Sequence, residues 1–151
     1  GLFLGRQLNS YRRRAPGAHA PTGICWGYEN RTAAIRIPGG PSKARRIEHR
    51  VAGADANPYL ILAAVLGAAL EGIEAGRDPV DPIVGDAYSI QMPQLSTDWG
   101  QAVSLFEQGN INAAIYPDLM RQVYVLAKRQ ELAGFAARMT DFEIASYLEV
   151  V

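Results

Sequence analysis

Histidine, lysine and cysteine are scarce in this 151-residue chain, with two, two and one of each. A lone Cys25 cannot close an internal disulfide, which excludes a disulfide scaffold and fits a reducing, cytoplasmic compartment. Hydrophobic runs are short. The longest, Pro58 to Leu70, falls well short of the roughly 20 residues that span a bilayer. No basic stretch followed by an apolar one opens the chain, so no secretory signal is evident. Internal repeats and low-complexity tracts are also missing. What is present is 48% apolar and 20% charged residues, ordinary for one globular domain and incompatible with disorder or a collagen-like chain.

Net charge is zero, yet it is unevenly spread. Residues 1–50 hold ten basic and two acidic side chains, a net of +8, while residues 51–151 carry a net of −8. Thirteen of the fifteen basic residues are arginine, whose planar fork suits carboxylate and phosphate. The basic half therefore wants an anion.

The N-terminal third reads as strands and loops. Turn residues at Pro16-Gly17, Pro21, Gly23 and Pro38-Gly39-Gly40-Pro41-Ser42 separate candidate strands at 24–28, 32–37 and 46–51. The last two, joined across Gly39-Gly40, suggest a hairpin or looped antiparallel pair. The remainder reads as helices. Asp55 or Asn57 caps one with Pro58 in its first turn, ended by Gly76; its body is apolar all round, which predicts a buried central helix. Residues 77–97 predict a long loop, Asp98 caps a helix to about Gln108, and another runs from Pro117 to about Arg138. Thr140 with Glu143 forms a capping box for a last helix to Leu148. The fold expected is α+β: a few antiparallel strands of an incomplete sheet, then a helical region. A two- or three-strand sheet is marginal alone, and with the opening Gly1-Leu2-Phe3-Leu4 this predicts a piece of something larger.

The sharpest local feature is Arg46-Ile47-Glu48-His49-Arg50. On a strand, Arg46, Glu48 and Arg50 share one face, and Ile47, His49 and Val51 the other. A carboxylate between guanidiniums is either a solvated ion-pair ladder or a site that handles metal and anion together. Arg31 and Arg36 sit at an odd offset, so both reach one site only if Arg31 precedes the strand or lies at a bulge. Arg12-Arg13-Arg14 forms a basic cluster whose plainest reading is a solvated surface.

Asn9-Ser10-Tyr11-Arg12-Arg13, Pro16-Gly17-Ala18-His19-Ala20-Pro21, Trp26-Gly27 and Asn30-Arg31-Thr32-Ala33-Ala34-Ile35-Arg36-Ile37-Pro38 follow one another in order. With Lys43-Ala44-Arg45-Arg46-Ile47-Glu48-His49-Arg50 and Asn57-Pro58-Tyr59-Leu60, this series resembles the catalytic core of the glutamine synthetase family. The resemblance is dense over residues 9–75 and thinner to the C-terminus. It implies the C-terminal third of such an enzyme, strand-rich over 1–52 and helical over 55–151, without the N-terminal domain and the first part of the catalytic domain.

The resemblance also implies roles. Arg13 and Arg50 match arginines that hold the glutamate substrate, and Glu48 matches a carboxylate ligand of Mg²⁺ or Mn²⁺ beside ATP. Arg31, Arg36 and Arg46 match arginines around the nucleotide and the transferring phosphoryl group, Arg31 and Arg36 with catalytic roles. The implied reaction activates glutamate with ATP as γ-glutamyl phosphate, which ammonia or an amine then attacks; arginines and metal neutralise the developing charge. The expected partners are glutamate and an amine, with neither nucleic acid nor membrane, in a ring-shaped homo-oligomer.

One departure is informative. Where ammonia-using members carry a glutamate over the site, this chain has His19, which attracts ammonium poorly but can accept a proton from an amine. That pattern looks like the branch acting on polyamines or monoamines, although tolerated surface variation at His19 is the plainer alternative. The rival functions are a nucleic-acid-binding basic module, disfavoured by the lack of regularly spaced stacking aromatics, and a family member without chemistry. Tyr88 falls near a tyrosine that some bacterial relatives modify with AMP, but its surroundings match poorly and a packed loop tyrosine is the simpler reading. Cys25, Phe106, Phe135 and Tyr147 are expected in the core, and His49 in the core or between layers.

Overall fold

A computed structural model describes residues 8–14 and 20–150, and among these residues six α-helices and one three-stranded sheet form. The α+β class expected from the sequence is what forms. A short helix α1 (Leu8–Arg12) precedes strands β1 (Trp26–Tyr28), β2 (Ile35–Ile37) and β3 (Glu48–His49). Helices α2 (Pro58–Glu74), α3 (Trp99–Gln108), α4 (Asn110–Ile115), α5 (Asp118–Ala136) and α6 (Asp141–Tyr147) follow.

The sheet order is β1-β2-β3, and its two pairings differ in direction. β2 and β3 are antiparallel as expected, with Ile35 opposite His49 and Arg36 opposite Glu48. β1 and β2 are parallel, which corrects the expectation of antiparallel strands throughout. The cause is local. Glu29 adopts a left-handed φ of 51°, and the Asn30 side chain accepts from the Thr32 amide at 2.9 Å. Together these turn the chain back on itself, so that the Ile35 amide meets the Cys25 carbonyl at 3.1 Å and the Glu29 amide meets that of Ile37 at 3.1 Å.

Helix boundaries follow their caps. Asn57 accepts from the amides of Tyr59 and Leu60, Pro58 occupies the first turn, and Gly76 at φ +60° follows the helix end. Asp98 caps α3 through the Gln101 amide, and Thr140 with Glu143 closes a reciprocal capping box at α6. The Thr140 amide and hydroxyl hold the Glu143 carboxyl below the usual carboxylate range.

The main core lies between α3 and α5. Trp99, Ala102, Val103 and Phe106 pack with Tyr11, Tyr116 and Val125, and Leu60 and Ala64 of α2 close one side. A smaller cluster of Cys25, Ala33 and Ala87 sits under the sheet. Phe106 is 4% exposed as expected, whereas Phe135 and Tyr147 are 53% and 64% exposed and so lie outside the core. No residue of α2 is buried, which corrects the expectation of a buried central helix. Among the described residues only its Leu60–Ala64–Gly67 flank is covered, where a Cβ on Gly67 would lie 2.7 Å from Ile115. Nor does any helix among the described residues have the length and apolarity to cross a membrane.

Phe106→Ala is expected to destabilise the protein by about 3–5 kcal/mol in denaturant unfolding, because a fully packed ring leaves a cavity. Phe135→Ala should cost less than half of that. The Glu143 carboxylate contributes stability above its unfolded pKa that is lost as pH falls through its lower folded value. Between pH 5 and 3, Glu143→Gln should therefore flatten the decline of the thermal midpoint.

Candidate functional site

The arginine-rich face is built where β2 and β3 pair. Because Arg36 stands directly opposite Glu48, both side chains leave the sheet on the same face and meet, Arg36 Nη1 reaching Glu48 Oε2 at 3.2 Å. Arg50 Nε lies 4.0 Å from the same oxygen, and its Nη1 donates to the Ala33 carbonyl at 3.3 Å. Arg36 reaches in the other direction as well, its Nη2 donating to Glu29 Oε2 at 2.7 Å. These two carboxylates raise the guanidinium's already high pKa, Glu29 contributing most.

Arg13 enters from the end of α1. Its Nη2 donates to the carbonyls of Arg50 and Val51 at 3.4 and 3.3 Å. Gly53 makes this approach possible, since a Cβ there would lie 2.4 Å from Asp55 Oδ1 and 3.0 Å from Arg13 Nη1. Asp55 in turn accepts from the Ser10 hydroxyl at 2.5 Å. The basic triplet is therefore not one solvated patch. Arg12 is exposed and Arg13 half-buried, while Arg14 is 3% exposed, donating to the Ser96 carbonyl at 2.6 Å with its guanidinium 5.3 Å from the Tyr11 ring.

Two expected members stand apart. Arg46 is exposed, and its Nη1 donates to the nearby Ala44 carbonyl at 3.3 Å. The alternation that would align it with Glu48 fails because β3 is two residues long and Ile47 before it is 66% exposed. Arg31 lies before β2, one of the two placements that would let it reach the site of Arg36, but it is exposed and lines a hollow of about 320 Å³ with Tyr28, Glu29 and Ile83. His19 lies outside the described residues.

The turn that carries Arg31 is held from behind by the 77–97 loop. Asn30 Nδ2 donates to the carbonyls of Ile83 and Gly85 at 3.3 and 2.8 Å. Its Oδ1 accepts from both the amide and the hydroxyl of Thr32, and Thr32 Oγ1 accepts from the Ala87 amide at 2.9 Å. Trp26 Nε1 reaches the Val80 carbonyl at 2.6 Å, and the Leu95 amide reaches that of Thr22 at 2.7 Å. Tyr88 is half-exposed, and its hydroxyl donates to the Ala20 carbonyl at 3.1 Å. Sequence reasoning missed Glu29 and Asn30; the acid immediately before Asn30-Arg31, at the end of a strand, was the available signal. His49 points away from the arginines, half-buried, and burial lowers its pKa.

Glu48 suits one ligand position of Mg²⁺ or Mn²⁺: a hard oxygen donor, its side chain 40% exposed, with both arginine contacts on Oε2. Among the described residues no group of three or more His, Cys, Asp or Glu could hold a metal ion, so they supply a single ligand rather than a centre.

A cluster of guanidiniums around one carboxylate, on a small mixed sheet, has the chemistry to receive an anion. The glutamine synthetase catalytic domain matches residues 2–147, and the chain belongs to that family. It is 36% identical over 98% of its length to a gamma-glutamylethanolamide synthetase of Streptomyces coelicolor. It is 34% identical over 95% to a glutamate–isopropylamine ligase of a Pseudomonas species, and 35% over 94% to a gamma-glutamylputrescine synthetase of Escherichia coli. The chain spans about a third of each relative, covering 32%, 32% and 30% of their lengths. A solved complex of GmaS with ADP superposes at a TM-score of 0.83 with 32% identity, over 97% of this chain and 35% of that one.

Thr32→Val removes the acceptor that Ala87 uses and should cost about 1–3 kcal/mol. Hydrogen exchange checks the mechanism, because the Ala87 amide should lose protection while amides in α5 keep theirs.

Proposed function

We propose that the full-length protein is an ATP-dependent ligase that joins the side-chain carboxyl of glutamate to an organic amine. The observation that carries this reading is Glu48 held between Arg36 and Arg50 in a chain of the glutamine synthetase family. In this reading Arg13 and Arg50 receive the carboxylates of glutamate, and Arg36 faces the phosphoryl group as it passes from ATP to the γ-carboxylate. Arg31 and Arg46 serve the nucleotide from the rim. A Mg²⁺ or Mn²⁺ ion, with Glu48 as one ligand, would shield phosphate charge.

The transferred phosphoryl group carries its charge on peripheral oxygens, so fixed guanidiniums help more than covalent participation. The product is γ-glutamyl phosphate and ADP. The amine nitrogen then attacks the acyl carbon, phosphate leaves, and the nitrogen loses a proton to give the amide. His19 is the proposed acceptor of that proton and the reason to favour an organic amine over ammonia. Three relatives bear names that specify ethanolamide, isopropylamine and putrescine chemistry, which supports the same preference. The resemblance further supports a cytoplasmic, ring-shaped homo-oligomer in which residues 1–151 form the C-terminal third of the enzyme, the C-terminal part of its catalytic domain.

The test compares ammonia, putrescine and a monoamine at equal concentration with the full-length protein and His19→Glu. The organic amine should give the higher kcat/KM, and His19→Glu should move preference toward ammonia by about 1–3 kcal/mol, the value of a desolvated charge-assisted contact. Ammonia as the best substrate, with no effect of His19→Glu, would refute the amine preference. The isolated 151-residue chain should form no detectable amide, because a half-built site cannot position the reacting groups.

A further inference from the structure

Glu29 is an unusual residue to find in a left-handed conformation. Side chains with a Cβ adopt φ near +51° at an energetic cost, and glycine, asparagine or aspartate usually fills such positions. The strain persists where surrounding contacts over-determine it. Here those contacts are specific. Glu29 Oε2 accepts from Arg36 Nη2 at 2.7 Å, while Oε1 accepts from the Gly39 amide. The Gly39 contact, then Arg36, holds the Glu29 carboxyl below the usual carboxylate range. A Cβ on Gly39 would lie 3.0 Å from Oε1, so the turn after β2 is shaped around this carboxylate.

Arg36 is thus gripped by separate nitrogens: Nη2 by Glu29, Nη1 by Glu48. Its Nε is buried and has no hydrogen-bond partner among the described residues, so the two carboxylates alone set the guanidinium's position. Their duties conflict at Glu48, which also lies 4.0 Å from Arg50. A guanidinium leaning on Glu48 alone would shift whenever Glu48 is drawn to another cation. Glu29 sits on the far nitrogen and escapes that competition.

We propose that Glu29 is a positioning residue that tethers Arg36 and the Gly39 turn, so that the Arg36 guanidinium keeps its place while Glu48 is engaged elsewhere. The proposal rests on the ligase reading given above and adds to it a residue with no direct role in the chemistry.

The test uses full-length protein as wild type, Glu29→Asn, Arg36→Ala and the double variant. Asparagine tolerates the left-handed backbone but is too short to reach Arg36, so it separates the tether from the turn. Glu29→Asn should keep its thermal midpoint within about 3 °C and lose about 10- to 100-fold in kcat, with KM for glutamate within about threefold. In the Arg36→Ala background, Glu29→Asn should cost less than about twofold further, since it acts through that arginine. An unchanged kcat in Glu29→Asn, or losses that multiply in the double variant, would overturn the tether. A wild type without ligase activity would instead refute the proposed function. Glu29 would then be judged by the thermal midpoints of the same four proteins: non-additive shifts support the tether and additive shifts overturn it.

Discussion

Asn30 uses both amide hydrogens and its carbonyl oxygen at a single junction, and the rest of the site depends on it. Three-residue strands have too few ladder bonds to fix their own register, least of all in a parallel pair joined by a short turn. Asn30 supplies what the ladder lacks. Its amide holds the loop carbonyls of Ile83 and Gly85, and its carbonyl oxygen holds Thr32, which in turn holds the Ala87 amide. The register of β2 then places Arg36 opposite Glu48. A loop of 21 residues becomes a brace for the sheet, because its backbone groups find partners along β1 and the following turn.

The helical half solves a different problem. α2 is apolar on every side, and packing covers only the flank that meets α4 and the main core. Tyr59, Leu62, Leu66, Leu70 and Ile73 fall at helical spacing on the uncovered flank, each more than half exposed. Tyr116 still ties this helix to the core by donating from its hydroxyl to the Leu60 carbonyl at 2.9 Å. The N-terminal segment reaches the same core through Tyr11 of α1, which packs with Trp99, and through Arg14, whose bond to Ser96 anchors the chain just before α3.

Much of this was legible in the sequence where the signal is local. Asn57-Pro58, Asp98 and the Thr140/Glu143 pair each carry their capping chemistry within three residues, and the helices they start appear where expected. Period-two spacing correctly put Glu48 and Arg50 together. It failed at Arg46, because alternation predicts a common face only for residues that are on the strand, and β3 is shorter than its apolar pattern. The parallel pairing was not legible, since it depends on a left-handed Glu29, a state that composition does not announce. Burial was misjudged at Phe135 and Tyr147 for a related reason: helical spacing gives a stripe but not what covers it.

The three arginines are held by two kinds of partner. Arg36 pairs with Glu29 and Glu48, and Arg50 lies 4.0 Å from Glu48, while Arg13 bonds to the backbone carbonyls of Arg50 and Val51. Packing three guanidiniums together would be costly without partners, and carbonyls supply the remainder: those of Arg50 and Val51 for Arg13, and that of Ala33 for Arg50. Carbonyl dipoles orient a guanidinium without cancelling its charge, whereas carboxylates do both. Among the described residues Arg13 donates to two carbonyls, Arg50 has one carbonyl and a 4.0 Å contact, and Arg36 has two carboxylates. Arg36 is thus the most firmly placed of the three. In the proposed reading that gradient separates capture from alignment: the loosely neutralised Arg13 and Arg50 draw a carboxylate in, and the rigid Arg36 waits where charge develops during transfer.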